Sequence, residues 1–68
     1  MQYTAIIRKE DSQYVSWCSE LDIASQGDTV EEAKINLAEA IQLFIESASE
    51  DEKQRRLKSE VYISTITA

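Results

Sequence analysis

Residues 29–48 read Thr29-Val30-Glu31-Glu32-Ala33-Lys34-Ile35-Asn36-Leu37-Ala38-Glu39-Ala40-Ile41-Gln42-Leu43-Phe44-Ile45-Glu46-Ser47-Ala48. Thr29 with Glu32 three residues on forms a capping box, in which hydroxyl and carboxylate satisfy each other's free backbone N–H groups. Asp28 with Glu31 offers the same spacing one residue earlier, and acids here complement the positive end of a helix dipole. Val30, Ala33, Leu37, Ala40, Ile41, Phe44, Ile45 and Ala48 then recur at three- and four-residue steps. They make one apolar stripe, with Glu32, Lys34, Glu39, Gln42 and Glu46 largely outside it. The stretch is a long amphipathic helix. Its end is open between Ser47 and Leu57. Ser47-Ala48-Ser49 can break it, yet Asp51 with Arg55 and Glu52 with Arg56 have helix-supporting acid-before-base spacing. Either the helix runs on to about Leu57 or a short second helical turn follows a kink.

Upstream, the period changes. Met1 to Lys9 reads as a strand in which Tyr3, Ala5 and Ile7 alternate with Thr4, Ile6 and Arg8, so both faces carry apolar residues. Glu10-Asp11-Ser12-Gln13 is turn-like without glycine, and Tyr14 to Cys18 is a second β-prone run, which together predict a hairpin. Asp22 to Gln26 is a short third strand after a turn or bulge at Ser19-Glu20-Leu21. Gly27, the only glycine, is expected to take a backbone angle that other residues avoid. Beyond the helix, Val61 to Thr67 is β-branched and is expected to close the chain as a fourth strand. The order β-β-β-α-β describes an α+β fold, a small antiparallel sheet with one long helix on one face.

A chain of 68 residues is one domain, here residues 1–68, and its core is small for its surface. One cysteine excludes an intrachain disulfide, and the absence of histidine removes a usual zinc ligand, so self-association is the expected support. No signal peptide or membrane-length apolar run is visible, and a lone cysteine fits the cytoplasm. Net charge −6 opposes direct nucleic-acid binding and suits a basic protein partner.

The run Tyr14-Val15-Ser16-Trp17-Cys18-Ser19-Glu20-Leu21-Asp22-Ile23-Ala24-Ser25-Gln26-Gly27-Asp28-Thr29 leads into Val30-Glu31-Glu32-Ala33, and Asn36-Leu37-Ala38-Glu39-Ala40-Ile41 follows. In order and spacing this resembles the HicB-like antitoxin family, over about the first two-thirds of the chain. The resemblance implies a partial ribonuclease H-like fold. It also implies a protein that neutralises a small basic mRNA-cleaving toxin of HicA type by covering its active surface. Many family members carry a further helix-turn-helix or ribbon-helix-helix module that binds the operator. No separate DNA-binding domain is expected here, so this chain alone is not expected to bind DNA. Ser19 stands where the family commonly has proline, which touches local geometry more than function.

Catalysis is not expected. Ribonuclease H chemistry needs carboxylates converging on metal ions, whereas the helix acids read as caps and solvated positions and the turn acids as soluble ones. Cys18 has no histidine to activate it and reads as a half-buried strand cysteine. No cofactor or metal site is expected. Lys53, Arg55, Arg56 and Lys58 hold most of the positive charge, but Asp51, Glu52 and Glu60 flank them, as on a solvated helix end. Glu20, Asp22, Gln26 and Asp28 are expected near one end of the sheet, where a basic toxin would make contact. Tyr3, Ile7, Tyr14, Trp17, Tyr62 and Ile66 exceed what one helix can cover, so Trp17 and Tyr62 are expected at a homo-oligomer interface. The competing reading is a stand-alone self-associating domain with no surviving toxin.

Overall fold

The computed structural model describes residues 2–58 and 60–68. Three strands, β1 (Ile6–Glu10), β2 (Gln13–Cys18) and β3 (Ile23–Gly27), form an antiparallel sheet in that order. Helices α1 (Val30–Ser47) and α2 (Glu50–Leu57) follow. The α+β class and the three-strand-then-helix order match the sequence reading.

The first hairpin closes with Glu10 opposite Gln13, leaving a two-residue loop. Asp11 takes the left-handed backbone there, with φ of 54°. Asp and Asn tolerate that region better than most residues, which is how the turn manages without glycine. Asp22, also at φ 54°, does the same service in the loop between β2 and β3.

Gly27 corrects the expectation placed on it, because its φ is not positive. Its missing side chain is what counts. A Cβ there would lie 2.6 Å from the Ala33 amide nitrogen and 2.9 Å from the Glu32 carbonyl carbon. Alongside, the fully buried Ser16 hydroxyl donates to the Ala33 carbonyl at 2.9 Å. Gly27, Ser16 and Ala33 are all small, so the first turns of α1 can lie hard against the sheet.

Thr29 caps α1 as expected, its hydroxyl accepting the Glu32 N–H at 3.0 Å. The reciprocal bond shifts by one residue: Glu32 Oε1 accepts from the Asp28 N–H at 3.3 Å. Of the apolar stripe, Ala33 and Leu37 are buried and Ala40, Ile41, Phe44, Ile45 and Ala48 are half-buried. Val30, in the first turn beyond the sheet, stays 50% exposed. The core is Cys18, Leu21 and Leu37, with Tyr3, Ile23, Ile41 and Phe44 packed on it.

Between the two readings of the helix end, the break after Ser47 is the one adopted. Ala48 caps α1 with extended backbone, and the Ser49 hydroxyl accepts the Glu52 N–H at 3.1 Å to start α2. The i, i+4 pairs form within α2, Arg55 to Asp51 at 3.8 Å and Arg56 to Glu52 at 3.0 Å.

The expected fourth strand, Val61 to Thr67, does not form. Residues 60–68 have no regular secondary structure and are exposed throughout. β-branched side chains favour a pleated backbone but cannot make a strand without a neighbour to pair with. Here α2 follows α1 directly, and the sheet ends at β1 and β3.

Candidate partner-binding surface

Residues opposed across neighbouring strands share a face of the sheet. Ser16, bonded to Ala33, marks the face under α1. The opposite face carries two cross-strand rows: Ile6, Trp17 and Ala24, then Arg8, Val15 and Gln26. No helix of the described residues covers these rows. Ile6 is exposed and Val15 and Trp17 are half-buried. Trp17 is steadied by its indole N–H, which donates to Asp22 Oδ1 at 2.9 Å.

The four residues expected at one end of the sheet divide between two. Glu20 and Asp22 lie in the β2–β3 loop, whereas Gln26 and Asp28 lie at the far end of β3. Three residues of strand, Ile23, Ala24 and Ser25, separate the two pairs. The sequence places all four near strand ends but does not say which ends coincide.

Glu20 is engaged structurally. Both its carboxylate oxygens accept the Thr4 N–H, at 2.9 and 3.0 Å, and Oε2 also accepts the Thr4 hydroxyl at 2.7 Å. The hydroxyl and then the N–H of Thr4 hold its pKa down to about 2. The chain before β1 is thereby clamped to the β2–β3 loop. Cys18 Sγ lies 3.6 Å from the same carboxylate, and burial pushes the thiol's pKa up. A fully buried thiol of raised pKa packs in the core and holds little of its thiolate form.

Arg56 closes this end from the other side. Its Nη1 donates to the carbonyls of Leu21 at 2.5 Å and Asp22 at 3.3 Å, while its guanidinium lies 5.2 Å from the Phe44 ring centre. The sequence offered only its spacing to Glu52, and the long-range bonds had no local signal. Asn36, not singled out from sequence, donates to the Gln26 carbonyl at 2.7 Å and so occupies an acceptor of β3.

Trp17 and Tyr62 are not brought together. Trp17 lies on the open sheet face, and Tyr62, 82% exposed, stands in the unpaired segment 60–68. A groove of about 520 Å³ runs between Tyr3–Ala5 and α1, with Leu37, Ala38, Ile41 and Ile45 on its helix side. Among the described residues no three His, Cys, Asp or Glu side chains group as metal ligands would. No helix of the described residues is long and apolar enough to cross a membrane.

These features define a small α+β domain with an uncovered sheet face and an acidic surface. The chain belongs to the UPF0150 family. It is 45% identical to the UPF0150 protein ssl0738 of Synechocystis sp. over 67 residues, 96% of this chain and 92% of that protein. A second UPF0150 protein of that organism, ssr1765, is 51% identical over 47 residues, 66% of this chain and 60% of that protein. Neither a family model nor a solved structure matches the chain.

Proposed function

We propose that this chain is a HicB-like antitoxin that binds and neutralises a small, basic, mRNA-cleaving toxin of HicA type in the cytoplasm. The observation that carries the reading is the run from Tyr14 to Ile41. It bears the HicB-like motifs, and it builds β2, β3 and the first two-thirds of α1 in a member of the UPF0150 family. Net charge −6 adds electrostatic attraction to a basic partner.

Of the two ends of the sheet, the one with Gln26 and Asp28 suits a basic partner better. Arg56 sits at the Glu20–Asp22 end and offsets its charge. At the other end Asp28 and Glu31 are exposed together at the start of α1.

The test begins with the neighbouring reading frame. A short basic frame encoding a histidine-bearing, double-stranded-RNA-binding-like protein is expected. Its expression should arrest growth, and co-expression of this chain should relieve the arrest through a complex that co-purifies. Asp28→Lys with Glu31→Lys should weaken that complex about tenfold or more and lower its salt dependence. A neighbouring toxin that neither binds this chain nor is relieved by it would leave the stand-alone self-associating domain as the reading.

A further inference from the structure

We infer that residues 60–68 of one copy lie along the outer edge of β1 in a second copy, filling the groove beside α1, and that the exchange is reciprocal. The proposal is independent of toxin binding.

Two unsatisfied features of the same chain match each other. Among the described residues β1 has a sheet neighbour only on its β2 side, so its other edge can accept another strand. The third strand is less open, because Asn36 already takes the Gln26 carbonyl. Residues 60–68 are a strand-forming sequence without a strand partner, with Ile63 67% and Ile66 89% exposed.

The side chains match as well. A strand added beside β1 has one face under α1, against Leu37, Ile41 and Ile45, and the other continuing the row of Ile6 and Trp17. The α1 side of such a strand must be apolar, and on the open side an apolar residue would find Ile6 as its neighbour. Segment 60–68 meets that demand, with Val61 and Ile63 on one alternating set and Tyr62 and Ile66 on the other.

The occupant is a second copy because the chain does not bring its own segment to the groove: Tyr62 remains 82% exposed while the groove stands open. Among the described residues the buried apolar side chains are Cys18, Leu21, Ala33 and Leu37, a small core for a chain of this length. Reciprocal exchange between two copies closes both edges about one two-fold axis, as isologous dimers do.

Sedimentation equilibrium of the full chain at micromolar concentration should show a dimer. Ile63→Asp in the segment and Ala38→Arg in the groove should each weaken it by about tenfold or more. Ala38 is exposed on α1, so its replacement should leave the circular dichroism unchanged and separates docking from folding. Mixing the two variants is the decisive arm: each mixed pair has one intact segment facing one intact groove, so heterodimer should form more tightly than either variant alone. A folded monomer, a dimer that neither change weakens, or a mixture no tighter than its components would overturn the proposal. So would a monomer whose own segment is protected from hydrogen exchange.

Discussion

The backbone of Gly27 passes so close to α1 that a Cβ on it would stand 2.6 Å from the amide nitrogen of Ala33. The obstacle is main chain, which cannot rotate aside as a side chain can. Gly27→Ala should therefore cost about 1–3 kcal/mol, as overpacking does. It carries no backbone-angle penalty, since φ at Gly27 is not positive. A second change, Ala33→Gly, should not rescue it, because the clash is with the amide and not the methyl. Urea unfolding of both variants decides this: recovery in the double variant would show that the contact is with the Ala33 side chain.

Glu20 should make stability depend on acid. Its pKa falls from 4.5 to about 2 in the folded chain, chiefly through the Thr4 hydroxyl and then the Thr4 N–H. A depressed carboxyl contributes its full stabilisation above the unfolded pKa and loses it as pH drops toward the folded one. The contribution should thus be complete above about pH 4.5 and decline toward pH 2. Solvent at this partly exposed position limits it to about 1 kcal/mol. Glu20→Gln should lower stability at neutral pH and narrow its gap from the unmodified chain across that window. A gap that stays constant from pH 6 to pH 2 would mean the clamp on Thr4 does not depend on charge.

Arg56 is the main tie between α2 and the rest of the chain, through the Leu21 and Asp22 carbonyls and the Phe44 ring. Arg56→Ala should cost about 1–3 kcal/mol for the charged hydrogen bonds and the ring contact. Hydrogen exchange should show the loss concentrated in α2, with α1 amides protected as before. Arg56→Lys should recover little, because an ammonium cannot serve two carbonyls, Glu52 and a ring face from one position. Full protection of α2 in Arg56→Ala would place its stability in the local Glu50, Asp51 and Glu52 pairs instead.

What was legible in the sequence was local. Periodicity of 3.6 and a Thr-x-x-Glu cap located α1 because each signal is made by residues within a turn of one another. The strands were found to within a residue at β2 and β3, and the i, i+4 acid–base pairs anticipated the ion pairs of α2. What escaped was set by distant partners. Thr4 and Glu20 are sixteen positions apart, and Arg56 reaches back to Leu21 across thirty-five. The role of Gly27 escapes a local reading for the same reason, since what constrains it is a neighbouring helix turn and not its own backbone angle. Segment 60–68 has the side chains of a strand, but whether a strand forms depends on a pairing edge that composition does not supply.

The chain alone should not bind duplex DNA selectively. Net charge −6 repels phosphate, and the cations of the C-terminal helix are committed locally. Lys53 lies 3.9 Å from Glu50, Arg55 pairs with Asp51 and Glu52, and Arg56 pairs with Glu52. A phosphate approaching α2 therefore meets near-neutral pairs, with exposed acids of the same helix beside them. Fluorescence anisotropy with operator-length duplexes should show only weak, sequence-blind association that vanishes near physiological salt. Replacing Glu50, Asp51 and Glu52 by glutamine would unmask the cations, and nonspecific binding should then rise with a steeper salt dependence. Saturable, sequence-selective binding by the unmodified chain at that salt would show that Lys53, Arg55, Arg56 and Lys58 act together as a contact surface despite their acidic neighbours.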